Sequence, residues 1–214
     1  TGIKKPIASI ITQVLVSKDD PAFKNPSKPI GPFYTEEEAK RIAKARGVTV
    51  KEDAGRGWRK VVPSPMPLSI IESDLIKIAI GNGAIVVASG GGGIPVYYDE
   101  HGRLTGLEAV IDKDFAAEKL AETIDADMLL ILTAVDSVKI NYKQPNEQSI
   151  DQITVGDAFK LIAQGQFAAG SMLPKVEAGI NFVAGANKRT CIITTPEKAS
   201  QAVEGKAGTR IIAG

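Results

Sequence analysis

The stretch Ile85-Val-Val-Ala-Ser-Gly-Gly-Gly-Gly-Ile-Pro95 decides the fold class, because it joins a short apolar segment directly to four glycines. Residues 85–89 predict a strand that is buried on both faces, as in a parallel sheet covered by helices. Open α/β sheets bind ligands at the carboxyl ends of their strands. The glycines at 90–93 would let backbone amides approach an anion there, and the alternative is a flexible turn.

Downstream of this loop, helical and strand-like patterns alternate, which predicts an α/β fold: a three-layer sandwich around a mainly parallel open sheet. A hairpin is predicted at 95–107, with His101 at its tip. The sequence predicts helices at 70–80, 112–124, 154–163, 172–184 and 196–203, and further strands at 128–132, 190–194 and 210–213.

Upstream of the loop, residues 7–16 predict one buried strand, and the proline-rich residues 20–34 predict a shaped loop. Thr35 and Glu38 form a capping box at the start of a helix that ends at Gly47, and a hairpin is predicted at 48–62. We therefore expect a small subdomain at residues 18–66, inserted into a core made of residues 1–17 and 67–214.

Composition excludes several classes of protein. The 214 residues (22.6 kDa) are 43% hydrophobic and 24% charged, which is typical of a globular chain. One cysteine and one histidine cannot form an internal disulfide, a thiolate metal cluster or a multi-histidine zinc site, so no metal-binding residues are predicted. No apolar run is long enough to span a membrane, and no signal-peptide pattern is present, so we expect a cytoplasmic protein.

The charge distribution is uneven. The net charge is +1, which argues against a nucleic-acid-binding protein. The first 62 residues nevertheless contain 13 Lys and Arg against 7 Asp and Glu. This surplus is either a solvated basic surface or an electropositive wall that faces an anionic substrate.

Three lysines stand near glycine-bearing loops or helix starts. Lys113 and Asp114 open a predicted helix, where an acid also complements the helix dipole. Lys175 lies in the first turn of another helix, where a cation opposes the dipole and a bound anion would explain it. Lys28 is held between two prolines. Cations in such positions favour phosphoryl transfer, in which charge stabilisation supplies most of the catalysis.

These segments together resemble the carbamate kinases of the amino acid kinase family, and the resemblance covers nearly the whole chain in the family's order. It rests on the following motifs: SGGGGIPV (89–96), VIDKDFA (110–116), LTAVD (132–136), GSMLPKVEA (170–178), GRGWRKVVPSP (55–65), DPAF (20–23) and KPIGPFY (28–34). Family members begin with a further strand and glycine-rich loop, so roughly the first third of the family's length is expected to be missing. The 214 residues alone are therefore expected to be inactive.

The resemblance implies reversible phosphoryl transfer between ATP and carbamate, giving ADP and carbamoyl phosphate with Mg²⁺, and usually running towards ATP in arginine fermentation. It implies a homodimer whose residues 18–66 cover the carbamate site. The family's catalytic residues correspond to Lys28, Lys113, Asp114 and Lys175, although Lys24 is an alternative to Lys28. The substrate loop corresponds to Gly90, Gly91, Gly92 and Gly93. The nucleotide-binding residues correspond to Thr133, Ala134, Val135, Asp136, Tyr142 and Met172.

Two alternatives stay open. Another amino acid kinase, acting on acetylglutamate, aspartate or UMP, would share the type of residue found at Asp114 and Lys175. The prolines and Trp58 of the inserted subdomain argue against it. A non-catalytic nucleotide-binding fragment is the second alternative.

Overall fold

Helices and strands alternate along most of the chain, so the predicted α/β class is confirmed. The structure is a computed structural model that describes residues 2, 4–53, 55–186 and 188–214. Its contacts divide the chain into two units, Thr1–Leu120 and Ala121–Gly214. No helix in the described ranges is long and apolar enough to cross a bilayer.

The described residues of the first unit form nine strands, two complete helices and most of a third helix. The strands are β1 (Ile7–Ser9), β2 (Gln13–Leu15), β3 (Lys28–Tyr34), β4 (Val50–Glu52), β5 (Trp58–Val62), β6 (Ser69–Ile70), β7 (Ile85–Val87), β8 (Ile94–Tyr98) and β9 (Leu104–Gly106). The helices are α1 (Glu36–Arg46), α2 (Ser73–Gly81) and α3 (Lys113–Thr123), which ends in the second unit.

Residues 7–16 do not form the single buried strand that the apolar run predicts. They form β1 and β2, which pair in parallel with β7 and β8 respectively. Because the glycine loop separates β7 from β8, a chain that pairs with both must break opposite that loop. Val14 is fully buried, whereas Ile11, in the break, is 80% exposed.

The prediction that β7 is buried on both faces is also wrong. Its residues Ile85 and Val87 are 38% and 54% exposed, and its parallel partner β1 carries Ile7 at 71% exposure. An apolar run therefore identified the strand correctly but not its environment.

The segment 28–62 has a sheet of its own, in the order β3-β5-β4, together with α1. The capping box is present as predicted: Thr35 Oγ1 accepts from the Glu38 amide, and Glu38 accepts from the Thr35 amide (3.0 Å). Ala39 and Val61 form a small buried centre. The predicted proline-rich loop is partly wrong, because residues 28–34 form β3, whose prolines are tolerated at the edge of the sheet.

The second unit is built on a four-stranded sheet in the order β10-β14-β15-β13. Its strands are β10 (Met128–Leu132), β11 (Val138–Ile140), β12 (Gln148–Ile150), β13 (Gln152–Thr154), β14 (Thr190–Thr194) and β15 (Thr209–Ile212), and its helices are α4 (Val155–Ala163), α5 (Met172–Ala184) and α6 (Ala199–Val203). The antiparallel pair β11 and β12 was not predicted from sequence.

Helix α5 packs closely on this sheet. A Cβ added at Gly179 would lie 2.7 Å from Ile211 Cδ1 and 2.9 Å from Cys191 Sγ, so only glycine fits without a shift. Cys191 is itself fully buried, as expected for a core residue. This packing holds the middle of α5 against β14 and β15.

Candidate active site

The glycine loop in the first unit is fixed by Thr12, which lies in the break between β1 and β2. The Ser89 amide donates to Thr12 Oγ1 (2.8 Å), and the Ile94 amide donates to the Thr12 carbonyl oxygen (2.8 Å). Inside the loop, the Gly92 amide donates to the Ser89 carbonyl oxygen (2.8 Å). Thr12 therefore holds both ends of the loop, and sequence reasoning missed it.

The four glycines of the loop differ in how closely the rest of the chain packs against them. A Cβ at Gly92 would lie 2.2 Å from the carbonyl oxygen of Ile111, and one at Gly93 would lie 2.5 Å from Val14 Cγ2. A Cβ at Gly90 or Gly91 would meet no described heavy atom within 4 Å. The second half of the loop is therefore packed against the chain, and the first half is open.

This difference predicts contrasting effects of two alanine substitutions. Gly92→Ala should destabilise the chain by about 3 kcal/mol or more, because its φ of +133° and the Ile111 carbonyl both reject a Cβ. Gly91→Ala should change the free energy of unfolding by no more than about 0.5 kcal/mol. Denaturant unfolding of both variants measures this, and equal losses would contradict it.

Lys28 is tied to the start of α3 by Asp112, a residue that the sequence analysis did not select. The Lys28 ammonium forms an ion pair with Asp112 Oδ2, while Asp112 Oδ1 accepts from the Asp114 amide (2.9 Å). The exposed fractions of the two side chains are 26% and 12%. Asp112 thus caps α3 and anchors β3, and its position at the first residue of the predicted helix 112–124 is the signal that could have identified it.

Asp112 is ionised at neutral pH. Burial opposes its charge, but the hydrogen bonds from Lys28 and from the Asp114 amide outweigh that cost and hold the pKa of Asp112 below its usual range. Because the pKa is lower in the folded than in the unfolded chain, the carboxylate stabilises the fold at all pH values above the unfolded pKa. That stabilisation is lost as the pH falls through the folded pKa.

The substitution Asp112→Asn should therefore have an effect that depends on pH. Asparagine still caps a helix but cannot pair by charge with Lys28, so we expect a loss of about 1–2 kcal/mol at pH 7. The difference from the unsubstituted chain should stay constant above about pH 5 and shrink below about pH 4. Urea unfolding across this range measures it, and a difference that persists unchanged to pH 2 would contradict the assignment.

The other residues predicted around α3 lie at its first turn. Lys113 is exposed, and Asp114 is 7% exposed. Lys24, the alternative to Lys28, is exposed beyond the 3₁₀ turn Pro21–Phe23. The structure thus brings Lys28 to the start of the helix that bears Lys113 and Asp114.

In the second unit, five of the six predicted nucleotide-binding residues line one largely apolar cavity of about 200 Å³. These five are Thr133, Ala134, Val135, Tyr142 and Met172. Phe167, which is 6% exposed, also lines the cavity and was missed by sequence reasoning. An apolar cavity with an aromatic wall suits a planar heterocycle.

Asp136, the sixth predicted residue, instead lines a larger polar cavity of about 600 Å³. Its carboxylate accepts from Lys198 (2.7 Å) and from Thr195 Oγ1 (3.3 Å). The hydrogen bond from Lys198 lowers the pKa of Asp136, against a smaller opposing effect of desolvation. These contacts join the β10–β11 loop to the end of β14, which is a structural role for this side chain.

Lys175 lies in the first turn of α5 and is only 9% exposed. The sequence correctly predicted both the helix bounds and the position of this lysine within them. A buried cation at the positive end of a helix dipole is unfavourable unless it serves an anion or is compensated.

The described residues contain no group of three or more His, Cys, Asp or Glu side chains that could hold a metal ion. Mg²⁺ is commonly bound by one or two carboxylates together with substrate phosphates, and that mode does not need such a group.

Comparison with known protein families identifies a kinase family. The model of the amino acid kinase family matches residues 8–194, so the chain belongs to the amino acid kinase family and has its fold. Within that family, the chain is 54% identical over 211 residues to a carbamate kinase of Clostridium perfringens, a match that covers 99% of this chain and 67% of the relative.

Solved structures give the same result. Carbamate kinase from Giardia lamblia bound to citric acid has a TM-score of 0.89 and 45% identity, covering 97% of this chain and 65% of that one. The same enzyme bound to AMP-PNP has a TM-score of 0.85 and 46% identity, covering 98% and 66%. The chain spans about two thirds of the length of the relatives it matches.

Proposed function

We propose that the protein to which this chain belongs is a carbamate kinase, which transfers a phosphoryl group reversibly between ATP and carbamate and gives ADP and carbamoyl phosphate. The observation that carries this proposal is the 54% identity to a carbamate kinase across 99% of the chain. The grouping of five expected nucleotide-binding residues around one cavity supports it.

ATP or ADP would bind in the apolar cavity of the second unit. Tyr142, Phe167 and Met172 provide apolar surface for the adenine ring. The solved relative that carries AMP-PNP supports the use of an adenine nucleotide. Mg²⁺ would enter with the nucleotide phosphates and supply positive charge to the transferring group.

The lysines would balance the charge that develops during transfer. The bond between the terminal phosphorus and its bridging oxygen breaks, while a carbamate oxygen forms a new bond to the same phosphorus. Carbamate attacks as an anion, so the step requires no general base. Lys113 and Lys175 would stabilise the transferring group and the nucleotide phosphates, Lys28 would serve the carbamate end, and Asp114 would position ammonium groups by charge.

The glycine loop would bind the carbamoyl end through backbone amides. Gly90 and Gly92 use their amides within the loop, donating to the carbonyl oxygens of Ala88 and Ser89 (both 2.8 Å). The amides of Gly91 and Gly93 are therefore the ones that we assign to the anion. Gly91 is exposed, which suits contact with a substrate.

We also propose that residues 18–66 cover the carbamate site, because the β3-β5-β4 sheet is tied through Lys28 to the start of α3. A cover would protect carbamate, which decomposes in water. The homodimer remains a prediction from the family resemblance, and the cytoplasmic location remains a prediction from the sequence pattern.

A coupled assay of ADP formation with four acceptors tests the proposed function. The protein should use carbamate and should fail to use acetylglutamate, aspartate or UMP. Preference for another acceptor would replace the proposal with that kinase activity. Binding of ATP without turnover on any acceptor would favour the non-catalytic alternative.

A further inference from the structure

Ser89, the residue between β7 and the first glycine of the loop, has a backbone conformation that serine rarely adopts. Its φ is +61°, in the left-handed region that favours glycine. Four glycines follow it directly, so a fifth would satisfy the backbone at lower cost. The presence of serine rather than glycine at this position therefore indicates that the side chain has a role.

The Ser89 hydroxyl has no hydrogen-bond partner among the described residues, although the residue is only 7% exposed. Buried hydroxyls are normally paired, because leaving one unpaired costs free energy. By contrast, both backbone polar groups of Ser89 are hydrogen-bonded: the amide donates to Thr12 Oγ1, and the carbonyl oxygen accepts from the Gly92 amide. The position of Cβ is thus fixed, and the hydroxyl is left without a partner in the part of the chain that the structure describes.

The loop around Ser89 can rearrange on one side only. Gly92 is packed against the Ile111 backbone, whereas an added Cβ at Gly90 or Gly91 would meet no described atom within 4 Å. Residues 90 and 91 are exposed and adjoin Ser89, so a ligand can approach the loop from this open side without disturbing the packed half. A ligand that orders these two residues would come within reach of Ser89 Oγ.

We propose that Ser89 Oγ donates a hydrogen bond to an oxygen of carbamoyl phosphate when the glycine loop binds that anion. This inference rests on the proposed function and adds a binding residue to it. It explains together the left-handed backbone, the buried unpaired hydroxyl and the open half of the loop. The partner is an anionic oxygen, because the loop amides favour negative charge at the same place.

Two variants separate the hydroxyl from the backbone. Ser89→Ala removes the hydroxyl and keeps the backbone cost, while Ser89→Gly removes both. Both variants should raise the KM for carbamoyl phosphate, or lower the kcat, by about 10- to 100-fold, as expected for a lost hydrogen bond to a charged group. The KM for ADP should not change, and Ser89→Gly should have the higher Tm of the two.

The controls distinguish failure of this inference from failure of the proposed function. Unsubstituted full-length protein that makes no ATP from carbamoyl phosphate and ADP would overturn the proposed function. If that protein is active and both variants keep its kcat and its KM for carbamoyl phosphate, the role of Ser89 is wrong. Loss of activity in Ser89→Ala with normal activity in Ser89→Gly would also overturn it, because the hydroxyl is absent from both.

Discussion

Replacing Lys175 with alanine should lower the kcat for phosphoryl transfer by about 100- to 1,000-fold, a loss comparable to that of a preorganised electrostatic contact in other enzymes. Lys175 lies in the first turn of α5 and is 9% exposed, so it places a cation at the positive end of a helix dipole. The dipole makes this position unfavourable for stability alone. Helix N-termini are sites where anions bind, and the family resemblance gives Lys175 as a catalytic residue, so we propose that it serves the nucleotide phosphates.

The stability of the Lys175→Ala variant distinguishes this reason from a structural one. We expect its Tm to stay within about 5 °C of the unsubstituted protein, because removal of the unfavourable interaction with the dipole offsets the contacts that are lost with the side chain. Lys160→Ala is the matched control, since Lys160 is a lysine of the same unit that is paired with Asp157 and 73% exposed. It should leave the kcat nearly unchanged. Normal turnover in Lys175→Ala would remove Lys175 from the active site.

Local signals predicted the fold well where the deciding interactions lie close together in sequence. Helix α1 begins at the capping box of Thr35 and Glu38 and ends at Gly47, as predicted, because these contacts span only a few residues. Helix α5 has the predicted bounds, Met172–Ala184. The carbamate kinase resemblance supplied the assignment of the nucleotide-binding residues, which no local pattern would have given.

The errors arise where pairing across the chain decides the structure. Residues 7–16 are mostly apolar, and the polar Thr12 does not by itself mark a break, yet β1 and β2 pair with strands on either side of the glycine loop. Residues 28–34 contain two prolines but form β3, because β5 supplies the pairing partner. Asp112 escaped selection for the same reason, since its partner Lys28 lies 84 residues away.

Removal of residues 20–62 should leave a folded core that binds ADP but no longer uses carbamoyl phosphate efficiently. The two ends of this segment leave the core close together: β2 and β6 pair through Leu15 and Ser69, and the Leu68 amide donates to the Leu15 carbonyl oxygen (2.8 Å). A short glycine-serine linker from Asp19 to Pro63 can therefore close the gap. The deleted sheet and helix carry their own buried residues, Ala39 and Val61, so their removal takes little from the remaining core.

The expected loss in kcat/KM for carbamoyl phosphate is at least about 100-fold, because the deletion removes both Lys28 and the proposed cover over a substrate that decomposes in water. The Kd for ADP, measured by calorimetry, should change less than about threefold, since the apolar cavity lies wholly in the second unit. Lys28→Ala is the matched control, because it removes the lysine and its tie to Asp112 while keeping the β3-β5-β4 sheet. If the sheet acts as a cover, the deletion must cost more than Lys28→Ala alone. Equal losses in the deletion and in Lys28→Ala would show that the segment contributes only Lys28. Unchanged kinetics in the deletion would show that residues 18–66 do not serve the carbamate site.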